Sequence, residues 1–259
     1  MPRPFPVPRW IAVAAAAVVA LTLVVYAYLR VEQFLIRDAR FTFSGPSSDS
    51  LEVSGAAHVA PRTIQAVFTD DYGRSAYLIP LADRREALRT VAWIKDASVA
   101  RFWPNHVVVG VTERKPVAFL PSVTGRPWLI DAEGVLLPPV EERFSLPVLI
   151  GVRPSDPPEL RRQRVGRLLG LMKDLGPAGR SASAVDVSDP DDLKLSEPLD
   201  GRTVTLLLGD RDFALRHDNF VRYYSEIRRK MPDAAVLDLR VEDRITVVPQ
   251  TAAPQKEAQ

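Results

Sequence analysis

The side chains best suited to metal ligation or proton transfer are three histidines, His58, His106 and His217, and their spacing suits neither task. They fall in a turn, a strand and a helix, without the short intervals by which a zinc site gathers its ligands. Each is expected to be a surface or capping residue. The pairs Asp70-Asp71 and Asp191-Asp192 would serve as general acid and base if folding joined them, but both lie in loop compositions and read as solvated turns. Glu113-Arg114-Lys115 has the charge to hold an anion, yet reads more simply as a charged strand end. Trp93, Trp103 and Trp128 would stack on a flat ligand, but their places beside strands assign them to the core. The run Arg161-Arg162-Gln163-Arg164 reads as the solvated face of a helix. The serines between Ser44 and Ser50 have no base nearby. No phosphate loop, dinucleotide fingerprint or nucleophile elbow occurs. The expectation is a chain with no catalytic, cofactor-binding or metal residues and no small-molecule substrate: a protein that builds a surface, not an enzyme.

Composition narrows the partners. The net charge is +2 and the pI about 9.0, but Arg3, Arg9 and Arg30 are the only charges in the first thirty positions. They account for three of 34 basic residues, leaving 31 against 32 acidic ones in the body. That body is near neutral, with no basic field to steer nucleic acid. There is no cysteine, which excludes disulfides and thiolate chemistry.

Trp10–Leu29 is uncharged, with Thr22 its only clearly polar residue. At ~1.5 Å per residue it spans roughly 30 Å, the thickness of a hydrocarbon core. Trp10, Tyr26 and Tyr28 stand near its ends, where amphipathic rings prefer the headgroup layer. The run is longer than the ~7–15 apolar residues of a signal peptide, which favours an uncleaved single-pass anchor. Arg3 and Arg9 keep the N-terminus cytoplasmic and the bulk extracytoplasmic. The Pro-rich stub before it, residues 1–9, is expected to be extended.

Beyond the membrane, residues 30–44 form a linker that carries the helix out of the bilayer. A short strand, Leu51-Glu52-Val53, turns at Ser54-Gly55. Two helices follow: Pro61 to about Phe68, with Ile64, Val67 and Phe68 on one face, and about Arg84 to Val91. Asp83 with Glu86 resembles a capping box for the second. Ser98–Trp103 and His106–Glu113, joined by Pro104-Asn105, make a hairpin. The order β-α-α-β-β predicts a three-stranded sheet with both helices on one face. A second unit begins with a hairpin around Asp131–Gly134 and a strand over Leu146–Ile150. A helix over Glu159–Leu175 is expected to bury Leu160, Val165, Leu168, Leu169, Met172 and Leu175. Strands over 185–187, 193–195 and 203–208 precede a helix over Phe213–Met231, with Phe213, Phe220, Tyr224, Ile227 and Met231 inward. Val236–Leu239 and Ile245–Val248 read as final strands, and the tail from Thr251 as disordered.

This order resembles the FtsQ/DivIB family of bacterial division proteins. The resemblance rests on Leu51–Gly55, Val91–Val99 with Trp103-Pro104, Glu113–Ala118, Ile130–Gly134, Leu146–Gly151 and Leu237–Arg240, in that order. It implies an α+β chain with a transmembrane helix at 10–29, a POTRA domain at 45–115, the family's β-domain with two helices at 116–249 and a tail at 250–259. The implied function is a divisome scaffold in the inner membrane at the septum that helps control septal cell-wall synthesis. Its implied partners are FtsB/FtsL-like proteins and FtsW/FtsI-like septal synthases. FtsB would add a strand at the edge Ile245, Thr246, Val247 and Val248, just before Pro249. Arg240 would pair with a partner carboxylate beside Val241. Val241 stands where relatives often carry an aromatic residue, and Arg244 where some carry Gly. The alternative is a POTRA-containing component of a transport or secretion system, although no second POTRA-like unit is evident.

Overall fold

The computed structural model describes residues 9–45, 49–122, 125–241 and 244–248. The Pro-rich stub before Arg9, Pro249 and the tail from Thr251 lie outside them. The chain is α+β and divides into two compact units between Glu113 and Arg114.

The first unit begins with α1 (Arg9–Arg37), whose Trp10–Leu29 portion keeps its large apolar side chains exposed. The helix continues past the apolar run to Arg37, where Asp38 starts a 3-10 turn and accepts from the Arg40 N–H at 2.9 Å. Then come β1 (Leu51–Ser54), α2 (Pro61–Ala66), α3 (Leu81–Arg89), β2 (Ile94–Phe102) and β3 (His106–Glu113). The expected β-α-α-β-β order is present. β3 occupies the middle of the sheet, parallel to β1 and antiparallel to β2. Its alternation places Val107, Val109 and Val111 inward, against Phe43, Ile64, Phe68 and Leu88. Gly55 turns the chain after β1 at φ +80°, and a Cβ there would collide with the Val111 carbonyl at 2.1 Å.

The proposed capping box at Asp83 and Glu86 is absent. α3 starts three residues earlier, after Pro80, so Asp83 lies inside its first turn and Glu86 pairs with Arg89. Asp71 is not a solvated turn residue either. It is 1% exposed and takes a bidentate ion pair from Arg84 at 2.6 and 3.1 Å, tying the preceding loop to α3.

The second unit holds β4 (Pro116–Leu120), β5 (Trp128–Asp131), β6 (Leu136–Leu137), β7 (Val148–Ile150), α4 (Pro158–Leu175), β8 (Ala184–Asp189), β9 (Asp192–Leu199), β10 (Arg202–Gly209), α5 (Phe213–Lys230), β11 (Val236–Asp238) and β12 (Thr246–Val247). They form one nine-stranded sheet in the order β12-β11-β10-β9-β8-β7-β4-β5-β6. Two of its parallel pairs, β7 with β8 and β10 with β11, are bridged by α4 and α5, as a parallel crossover requires. α4 and α5 touch each other and cover the same core. α4 buries Val165, Leu168, Leu171 and Leu175. Leu171 was missing from the expected stripe, whereas Leu160, Leu169 and Met172 are only half-buried.

Besides Asp71, further sequence expectations fail on burial. Asp192 is 9% exposed and accepts the Gly209 N–H at 3.0 Å, so it does not stand in a solvated turn. Trp93 is buried, but Trp103 and Trp128 are 53% and 38% exposed, because each stands at a strand end where the sheet offers no cover. Met231 follows the last turn of α5 and is exposed. His217 is buried rather than on the surface, since the carboxylate of Glu197 waits for it inside, 3.1 Å from Nε2.

Candidate partner-binding site

Each charge cluster read from the sequence has an internal structural partner. Glu113, at the end of β3, accepts the backbone N–H groups of Ala57, His58 and Val59, each at 2.9 Å, and contacts His58 Nδ1 at 2.5 Å. Burial alone would raise its pKa, but those hydrogen bonds outweigh it and hold the carboxyl below its ordinary range. Arg114 bonds Asp131 and Glu133 at 2.7 Å, while Asp131 also accepts the N–H groups of Glu133 and Val135 to close the β5–β6 turn. Arg161 donates to the Gly134, Pro154 and Asp156 carbonyls, and Arg164 pairs with Asp156 at 2.7 Å. Of that basic run, Arg162 matches the solvated expectation best.

The trio of exposed Ser181 with buried Glu197 and His217 has the residue types of a hydrolytic triad in the wrong order. The serine hydroxyl and the imidazole both bond to the central carboxylate, at 2.8 and 3.1 Å, so the imidazole is not placed to take the serine's proton. Among the described residues no group of three or more His, Asp or Glu side chains is arranged to hold a metal.

An exposed apolar surface of the second unit lies at the β12 end of its sheet. β12 pairs antiparallel with β11 through Leu237–Val247 and Asp238–Thr246, and the Val248 N–H donates to the Val236 carbonyl at 3.0 Å. Hydrogen-bonding direction alternates along a strand, so the N–H groups of Ile245 and Val247 point away from β11. Among the described residues β12 has no second neighbour and forms the sheet's edge. The Ile245 and Val247 side chains pack on the core, whereas Thr246 and Val248 face solvent.

Beside this edge runs a cleft of about 490 Å³ between α5 and Leu239, Val241, Arg244 and Ile245. Leu215, Tyr223 and Val241 line it and remain 60%, 48% and 58% exposed. Arg222 and Arg244 add positive charge at its walls. Sequence reasoning chose Val241 and the edge strand but missed Leu215 and Tyr223. Their signal was available: two large apolar residues outside the buried stripe of α5. Arg240 is engaged internally, with two bonds to Asp238 at 2.9 and 2.6 Å and one to Asp192 at 3.3 Å. The Arg240 hydrogen bond is the leading reason that the Asp238 carboxyl lies below its usual range. The Arg240 side chain is nonetheless 46% exposed.

The family model described as POTRA domain, FtsQ-type, matches residues 47–114. The protein named Cell division protein FtsQ from Koribacter versatilis is 36% identical over 211 residues, covering 78% of this chain and 60% of that relative. Its namesake from Rhodothermus marinus is 29% identical, with 76% of each chain covered. A third, from Zymomonas mobilis, is 30% identical over 54% of this chain and 43% of its own length. The chain thus spans about three fifths of the Koribacter relative.

Proposed function

We propose, on the premise that the chain belongs to the FtsQ/DivIB family of bacterial division proteins, that it is a non-enzymatic divisome scaffold anchored by α1. In this reading residues 45–115 are the POTRA domain and 116–249 the β-domain, both extracytoplasmic. The β-domain captures an FtsB/FtsL-like partner, and the assembly helps control FtsW/FtsI-like septal synthases. The observation that carries the reading is the β12 edge with its outward N–H groups at Ile245 and Val247, next to an exposed apolar cleft. An edge offers backbone hydrogen bonds to an added strand, and a neighbouring groove supplies side-chain selectivity. Leu215, Tyr223 and Val241 form an apolar floor of the kind that binding anchors fill. Arg222, Arg244 and the exposed part of Arg240 suit an acidic partner segment.

The test separates backbone from side chain. Ile245→Pro removes one outward donor, whereas Ile245→Ala removes the side chain and keeps the donor. Losing a hydrogen bond and leaving its acceptor unpaired costs about 1–3 kcal/mol, roughly 5- to 150-fold in Kd. Full-length protein in detergent, titrated with an FtsB-like peptide, is expected to lose affinity on that scale with Ile245→Pro and far less with Ile245→Ala. Equal losses for both variants would refute strand addition here. A fluorescent fusion spread evenly around the membrane of dividing cells would refute the division role itself.

A further inference from the structure

The far end of the first unit presents a second exposed surface, unrelated to the β12 edge. Phe102 and Trp103, at the tip of the β2–β3 hairpin, are 56% and 53% exposed, and Leu78 is 38% exposed. Adjacent large apolar side chains left in water mark a contact site. They are tied to α1 by a row of rings: Phe34 meets Phe41 at 5.6 Å, Phe41 meets Trp103 at 5.5 Å, and Trp103 meets Tyr77 at 6.4 Å. The Ser75 hydroxyl donates to the Leu35 carbonyl at 2.7 Å, and Tyr77 lies beside Tyr28 of α1.

These contacts set the height of the tip. Tyr28 is one residue from the end of the apolar run, so Tyr77 stands where hydrocarbon gives way to headgroups. Phe34 lies five residues past Leu29, about 7.5 Å further along the helix. A headgroup layer is roughly 5–7 Å thick on each side of the core, so the row of rings falls at its outer margin. The charges nearby are mostly basic. Arg30, Arg37 and Arg74 are at this end of the unit with Glu32, while Asp38 is held by Arg40. Arg101 lies over the Tyr77 and Trp103 rings at 5.9 and 5.8 Å, donates to the Ile79 carbonyl, and its Nε has no partner.

We propose that Tyr77, Leu78, Phe102 and Trp103 seat the first unit on the outer headgroup layer of the bilayer that α1 crosses, with anionic phospholipid headgroups as the partner of Arg74 and Arg101. Aromatic rings prefer that layer, and arginine forks fit phosphate. The unit then meets the membrane at two places, the helix and the hairpin tip, which restricts its tilt. This inference rests on α1 being a membrane anchor.

The absence of cysteine makes the test direct. Single cysteines replace Phe102, Leu78, Leu21 and Thr112 in the full-length chain, each carrying a nitroxide. The protein is reconstituted in phosphatidylethanolamine–phosphatidylglycerol vesicles, and collision rates with oxygen and with a water-soluble nickel chelate are read by electron paramagnetic resonance. Thr112 lies near the opposite end of the hairpin and is the aqueous reference. Labels at Phe102 and Leu78 are expected to show a several-fold lower nickel collision rate than at Thr112, with a higher oxygen rate. If Leu21 is buried in lipid while Phe102 and Leu78 match Thr112, the docking is refuted and the anchor stands. If Leu21 is also aqueous, the anchor reading falls and the docking with it.

Discussion

Glu113→Ala probes how the first unit closes. One carboxylate oxygen accepts three consecutive backbone N–H groups, from Ala57, His58 and Val59, and the other reaches the His58 ring. These groups form the turn that leads into α2, and His58 in turn stacks on Trp93 at 4.6 Å. A hydrogen bond to a charged acceptor contributes about 1.5–3 kcal/mol, but water can replace part of it at a site that is not fully sealed. We therefore expect a total loss of about 3–5 kcal/mol for Glu113→Ala, a large share of the ~5–15 kcal/mol that holds a domain together. Glu113→Gln keeps one carbonyl oxygen for the three donors and should cost about 1–2 kcal/mol. Two readouts on the full-length chain in detergent report the effect: hydrogen exchange of the amides at 57–59, and urea unfolding followed by tryptophan fluorescence. The pH dependence adds a signature. The folded carboxyl lies below its ordinary range, so its contribution is present above the unfolded value of ~4.3 and is lost as pH falls through the folded value. The stability gap between wild type and Glu113→Ala should therefore narrow in acid. Unchanged exchange at 57–59 with an unchanged urea midpoint would refute the reasoning.

Three further substitutions test the packing. Arg84→Met leaves the Asp71 carboxylate buried without its counter-charge and should destabilise the first unit by about 3–5 kcal/mol, seen as a lower urea midpoint, while adding Asp71→Leu should restore most of it. Leu168→Ala opens a cavity between α4 and the sheet and should cost about 2–5 kcal/mol in the second unit's unfolding transition. Gly134→Ala places a Cβ 2.7 Å from the Arg162 backbone nitrogen at a φ of +77°, so a loss of about 1–3 kcal/mol is expected in the same measurement.

The parts of this fold legible in the sequence are those set by local periodicity. Val107, Val109 and Val111 alternate, and their strand is the middle of its sheet. Val165 and Leu168 repeat at helical spacing and face inward. The polar residues were misread where a partner distant in sequence decided their burial. Asp70-Asp71 has a loop composition, and nothing local shows that Arg84 will reach back to cover Asp71. His217 and Glu197 sit twenty positions apart on a helix and a strand, and only the packing of α5 on the sheet makes them neighbours. The candidate site was half visible. Ile245–Val248 is a β-prone run, but Leu215 and Tyr223 joined it only when α5 was laid beside Leu239, Val241 and Ile245.

By itself the sequence determined the apolar span of α1, the β-α-α-β-β order of the first unit, the helix–strand alternation of the second, and the absence of thiol chemistry. Hydrophobic spacing, turn residues and composition act within a few positions, so they can be read without coordinates. Only the tertiary structure decided that β12 is an edge, that its outward donors fall on Ile245 and Val247, and that the hairpin tip returns to the level of Tyr28. Those outcomes depend on which strand is left without a neighbour and which loop meets which helix, and chain topology rather than local preference settles both.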